Sequence, residues 1–215
     1  MKTAHYRPEI LQQLPLSSKR IQILEGYLSL CLEIGVSEVT MDKIARKLNL
    51  SLGSIHYHFG GKEKLGLMES SIRYVSQESI KFINFELEQR LASDNFAGMS
   101  DYIDIAFKWI KTFPHHSRFY LHFYYLGSID SHYADYHAQY LDLMRSRLTG
   151  LLFQGVGRGV YPELTNVEGL ALKIHPVIVG SVLLSLLDPV EGSSAIHHQR
   201  TLDIVSELIK NAEIK

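Results

Sequence analysis

The chain has 215 residues, 46% hydrophobic and 21% charged, with a formal net charge of −1, the composition of an ordinary globular protein whose bulk charge carries no nucleic-acid signal. Its single cysteine, Cys31, excludes an intramolecular disulfide and suits a reducing compartment. Split at residue 65 the charge separates: nine Lys and Arg stand against six Asp and Glu in the first part, thirteen against seventeen in the rest, a basic head on an acidic body.

Residues 1–16 hold Pro8 and Pro15 and no sustained period, which predicts a loosely held arm. The opening MKTAHYRPEI lacks the apolar run of a signal peptide. From Ser17 the sequence predicts a capped helix ending at Gly35, its apolar face formed by Ile21, Leu24, Leu28, Cys31 and Leu32, with Cys31 as a buried inert thiol. Lys19 and Arg20 at its start suit either a phosphate or solvent.

Two short helices follow. Met41, Ile44, Ala45 and Leu48 recur at helical spacing behind Thr40 as a cap, and Asn49 stands where the chain must reverse. Leu50 points back to the core, Ser51 caps a second helix, and Ile55 and Phe59 at i and i+4 form its buried face. This is a helix-turn-helix whose second helix leaves Ser51, Gly53, Ser54, His56, Tyr57 and His58 off the apolar stripe, as a helix entering a DNA major groove requires.

Those residues carry a resemblance. The run from Lys19 to Leu65, above all IARKLNLSLGSIHYHFGGKEKL, resembles the DNA-binding domain of the TetR family of bacterial transcriptional regulators. The family pattern is an Ile-Ala pair, a turn, a Ser-x-Gly-Ser/Thr-aliphatic-Tyr-x-x-Phe helix and a Lys-Glu pair. This chain supplies Ile44, Ala45, Ser51, Gly53, Ser54, Ile55, Phe59, Lys62 and Glu63. Two positions depart: Asn49 stands for the usual Gly, a mild exchange because Asn tolerates a left-handed backbone, and His56 stands for the usual Tyr. The expected DNA-contacting set is Thr40, Ser51, Tyr57, His58 and Lys62 on phosphates, Gly53 for close backbone approach, and Ser54 and His56 toward base edges. Leu52 has spacing to Ile55 that suits a core, but the resemblance points it at DNA, where it can touch a thymine methyl.

After Gly60-Gly61 a long helix is expected from Lys62 to about Asn95, and the resemblance makes it the link between head and body. Further helices are expected at 101–112, 116–126, 131–154, 166–187 and 195–211, broken at Pro114, Gly127, the GVGRG run and Asp188-Pro189. No segment alternates like a strand, so the fold class is all-α, with a three-helix head and a larger helical body. The expected division is 1–61 for arm and DNA-binding domain and 62–215 for effector binding and dimerisation. Gly155, Gly157 and Gly159 follow no strand and open no helix, which argues against a phosphate loop.

The aromatic stretch Phe107, Trp109, Phe113, Phe119, Tyr120, Phe123 and Tyr124 has the walls a small-molecule pocket needs, but taken singly each residue reads from sequence as core packing. The resemblance makes these residues the candidate lining for a small apolar or aromatic effector. Residues 166–211 read as a helix pair, the first too apolar around its circumference for exposure, with Gly180, Ser181 and Ser185 permitting close approach, the second with Leu202, Val205, Leu208 and Ile209 on one face, and the resemblance implies a homodimer through them. The longest apolar stretch, Val177 to Leu187, is shorter than the about 20 residues a bilayer needs, which points to the cytoplasm rather than a membrane. Eleven histidines form the clusters His115-His116, His132 with His137, and His197-His198, read mostly as surface residues because no zinc-hydrolase or nucleophile motif accompanies them. The sequence thus favours a ligand-responsive repressor that is no enzyme, needs no cofactor or metal, and binds a double-stranded palindromic operator. The alternatives are a DNA-binding protein of the same fold without a small-molecule effector and, disfavoured, a metal-dependent hydrolase.

Overall fold

A computed structural model describes residues 16–60 and 66–212. The arm, apart from Leu16, and the start of the long helix at Lys62 lie outside them. The described residues form α1 (Ser18–Ile34), a 3-10 turn (Val36–Glu38), α2 (Met41–Leu48), α3 (Leu52–Phe59), α4 (Leu67–Asp94), α5 (Met99–Thr112), α6 (Pro114–Ile129), α7 (Ser131–Gly157), α8 (Val167–Leu187) and α9 (Ser193–Lys210). The architecture is all-α. The backbone divides into two compact units: residues up to Ser79 together with Pro114–His137, and Ile80–Phe113 together with the residues from Ala138 onward.

In the first unit α1 packs on α2 and α6, and α2 on α3. The buried face of α1 is Ile23, Leu24, Tyr27, Leu28 and Leu30, while Ile21 and Leu32 are more than a third exposed, so the face is rotated from the expected one. Two residues outside the simple apolar count turn it. Gly26 faces Leu48 so closely that a Cβ would lie 2.8 Å from its methyl carbon, and the Tyr27 ring packs edge-on against Phe119 with centroids 6.0 Å apart. Cys31 is half-buried, and burial pushes its thiol up to about 11, leaving it protonated at neutral pH.

In the second unit α5, α8 and α9 pack together. Neither Gly127 nor Gly155 ends a helix: α6 continues to Ile129 and α7 to Gly157. Both glycines serve close approach. A Cβ on Gly127 would sit 3.3 Å from that of His137, and one on Gly155 would fall 2.0 Å from the Tyr161 ring. The apolar stretch 177–187 is the second half of a 21-residue helix, so the argument from shortness fails: by length and composition α8 is apolar enough to cross a membrane. It buries Leu170, Ala171, Ile174 and Ile178 in the unit's own core, and toward its C-terminal end leaves Leu184 and Leu187 more than half exposed.

Candidate nucleic-acid interface

The head's second and third helices are fixed by local chemistry. Thr40 Oγ1 accepts the Lys43 N–H at 3.2 Å and Ser51 Oγ accepts the Ser54 N–H at 3.1 Å, so each helix starts on a hydroxyl cap. Between them Asn49 adopts the left-handed conformation, φ 52° and ψ 47°. Its N–H donates to the Arg46 carbonyl and the Leu50 N–H to the Ala45 carbonyl, closing α2 with a Schellman turn. Asn fills the position because its side chain strains a left-handed backbone less than most.

Two residues seat α3. Ile55 is fully buried and Phe59 is 3% exposed, and the Arg20 guanidinium lies 4.9 Å from the Phe59 ring centroid, tying the start of α1 to the end of α3. The opposite face is open. Ser51, Leu52, Gly53, His56 and Tyr57 are exposed, with Leu52 at 42% and Tyr57 at 73%, and Ser54 and His58 are half-buried. Leu52 therefore belongs to the outward face rather than the core. A Cβ on Gly53 would meet nothing nearer than the Ser51 hydroxyl at 3.9 Å, so no internal contact demands glycine there. Gly60 differs: a Cβ would lie 2.7 Å from the His56 carbonyl oxygen. Thr40 is exposed beside the same motif, and Lys62 lies outside the described residues.

The cations of α2 carry acidic partners. Arg46 pairs with Asp42 and Lys47 with Glu33, each at 2.5 Å, and Lys43 Nζ donates to the Glu38 carbonyl at 2.7 Å. At the start of α1, Lys19 donates only to Gln22 and Arg20 has no acidic partner among the described residues.

Residues 23–67 match the family described as "Bacterial regulatory proteins, tetR family". Over these residues the chain is similar to the TetR family. A curated relative, the HTH-type transcriptional regulator BetI 1 of Chromohalobacter salexigens, is 33% identical over 57 residues, 26% of this chain and 27% of the relative. The match thus spans about a quarter of the curated relatives' length. Among solved structures, a TetR transcription regulator from Haloarcula marismortui aligns with a TM-score of 0.71 at 17% identity, covering 92% of this chain and 99% of that one. A transcriptional regulator from Saccharomonospora viridis, solved in complex with choline, aligns at 0.68 and 17%, covering 89% and 97%. At these identities the solved structures establish the fold alone, along nearly the whole chain.

The seven aromatic residues divide at Pro114. Phe107, Trp109 and Phe113 belong to the second unit, where Phe107 packs 5.0 Å from the His198 ring and Phe113 edge-on to Phe82. Phe119, Tyr120, Phe123 and Tyr124 belong to the first, with Tyr136 and His137 around Phe123.

A polar cluster in the first unit escaped the sequence reading. Glu25 Oε1 of α1 accepts the Tyr74 hydroxyl of α4 at 2.6 Å and the His116 Nε2 of α6 at 2.9 Å. The carboxylate acceptor fixes the proton on Nε2. Burial alone would raise the Glu25 carboxyl, but the hydrogen bonds from His116 and Tyr74, with the His116 charge, outweigh it and hold the carboxyl below its ordinary value. Burial, and then the bond to Glu25, push the Tyr74 hydroxyl up. His116, 4% exposed, and His175, 6% exposed, are buried rather than surface histidines. Among the described residues no group of three or more His, Cys, Asp or Glu could hold a metal ion.

Proposed function

We propose that the chain is a ligand-responsive, sequence-specific DNA-binding regulator of transcription, a cytoplasmic repressor acting as a homodimer on a palindromic operator. The observation that carries this reading is the open face of α3: an exposed Leu52, Tyr57 and His56 around a glycine that nothing inside the protein requires. Glycine in a helix costs about 0.5–1 kcal/mol relative to alanine, and close approach of a phosphate or base edge to the backbone gives a reason to keep it. Thr40 and Ser51 use an oxygen lone pair for capping, which leaves each O–H to donate to a phosphate. Tyr57, His58 and Lys62 join them on the backbone, while Leu52, Ser54 and His56 face base edges.

The functional division is residues 1–61 for DNA and 62–215 for effector and partner copy. The exposed Leu184, Leu187, Ile196 and Ile204 on α8 and α9 support dimerisation. The effector is a small apolar or aromatic molecule, for which Phe107, Trp109 and Phe113 of the second unit and Phe119, Tyr120, Phe123 and Tyr124 of the first are two separate sets of candidate lining residues. The choline seen in the Saccharomonospora viridis regulator is a first compound to titrate. Its action is a population shift, and a coupling of about 1–3 kcal/mol changes operator affinity by about 5- to 150-fold.

Selection of bound duplexes from a random pool tests the reading. A palindromic consensus with half-sites about one helical turn or more apart is expected. No enriched sequence, or binding indifferent to Leu52→Ala and Ser54→Ala together, would reject it.

A further inference from the structure

In the first unit α1 and α6 leave between them a half-open cleft of about 230 Å³. Its apolar side is formed by Leu28, Leu32 and Phe119, and its polar side by His115, Arg118 and His122. No Asp or Glu stands among its lining residues. We propose that this cleft binds a small amphipathic carboxylate, its anionic end on the Arg118 guanidinium and its body against Leu28 and Phe119. The cleft lies apart from the exposed face of α3 and shares only Phe119 with the aromatic residues proposed for the effector.

Charge complementarity makes the case. Arg118 is exposed at the cleft and has no acidic partner among the described residues. Glu33, the carboxylate of α1 that His115 influences, is already engaged by Lys47 at 2.5 Å and by the Ser29 hydroxyl at 2.8 Å. Cys31, also in the lining, adds no negative charge because burial keeps its thiol protonated. His122 follows Arg118 by one turn on the same helix face, and burial lowers its pKa, so at neutral pH it offers a hydrogen bond rather than a second charge. The cleft therefore presents one fixed positive charge, in the planar fork that suits a carboxylate. A water's share of liquid volume is about 30 Å³ and drug-sized pockets begin near ~300 Å³, so the space fits a single ring or short chain and not a nucleotide.

The test uses the full chain and benzoate. Calorimetric titration is expected to give saturable one-site binding. Saturating benzoate is also expected to slow N-ethylmaleimide alkylation of Cys31, the chain's single cysteine and a residue of the same cleft. Arg118→Gln, at an exposed position, should keep the melting temperature and weaken benzoate about tenfold or more, ~1.4 kcal/mol. Benzamide, the neutral analogue, should neither bind comparably nor protect Cys31. The proposal is overturned by absence of saturable binding up to ~10 mM, where affinity falls below about 3 kcal/mol. It is equally overturned by unchanged affinity in Arg118→Gln, or by equal protection from benzamide.

Discussion

Gly53 separates two demands that a helix residue usually meets together, stability and contact. Space around it is open and its backbone is not left-handed, so Gly53→Ala is expected to leave stability unchanged or raise it by up to about 1 kcal/mol, while operator affinity falls about tenfold or more. Urea unfolding and a DNA titration on one preparation check both signs, and an alanine variant that binds DNA normally removes the close-approach role. Gly60→Ala supplies the contrast: a Cβ there meets the His56 carbonyl, so stability itself should fall. Lys62, assigned to a phosphate, predicts a different signature. Lys62→Ala should weaken all operator variants alike and reduce the slope of log affinity against log salt by about one unit. A sequence-selective loss across operator variants would overturn that assignment.

At the scale of elements, Glu25, Tyr74 and His116 join α1, α4 and α6 through one carboxylate oxygen. Glu25→Ala leaves a buried hydroxyl and a buried imidazole N–H without that acceptor and is expected to cost about 2–3 kcal/mol. The pH dependence has a defined sign. A carboxyl whose folded pKa lies below its unfolded value contributes stability above the ordinary 4.5, and that contribution is lost as pH falls through the folded value. Glu25→Gln should therefore flatten the loss of urea stability below about pH 4.5, and an unaltered acid limb would show that the carboxylate carries none of it. This cluster was not legible in the sequence, because adjacent histidines look alike there: His115 is half-buried at a cleft, and His116, about 100° further round α6, is 4% exposed. Gly127 and Gly155 misled for a related reason, since a glycine that admits a neighbouring side chain reads like one that ends a helix. The helix-turn-helix was legible because Thr40, Asn49 and Ser51 do their work within five residues of themselves. The division of the aromatic stretch at Pro114 depends on which unit each ring packs into, a fact of tertiary structure alone.

For the whole molecule the uncovered apolar surface of α8 and α9 sets the expectation. Leu184, Leu187 and Ile196 are each half exposed or more, on helices that bury Leu170, Ala171, Ile174 and Ile178 of α8 and Thr201, Val205 and Ile209 of α9. Left in water they would be an aggregation hazard, and the two-fold copy proposed above would cover the same patch on both partners at once. Leu184→Glu would place a charge in that proposed interface without disturbing the unit's own core, because the side chain is 56% exposed in the single chain. Dimerisation should weaken by ~3 kcal/mol or more, from the cost of burying an unpaired charge, while the melting of the isolated chain changes little. Operator binding should fall with it, since a monomer engages one half-site and loses the effective concentration that links the second. Sedimentation across micromolar concentrations checks the first effect and titration on full and half operators the second. A wild-type chain that sediments as a monomer, or a Leu184→Glu variant that remains dimeric, places the interface elsewhere. Partition of the wild-type chain into vesicles would instead assign the apolar half of α8 to a membrane, as its 21-residue length allows.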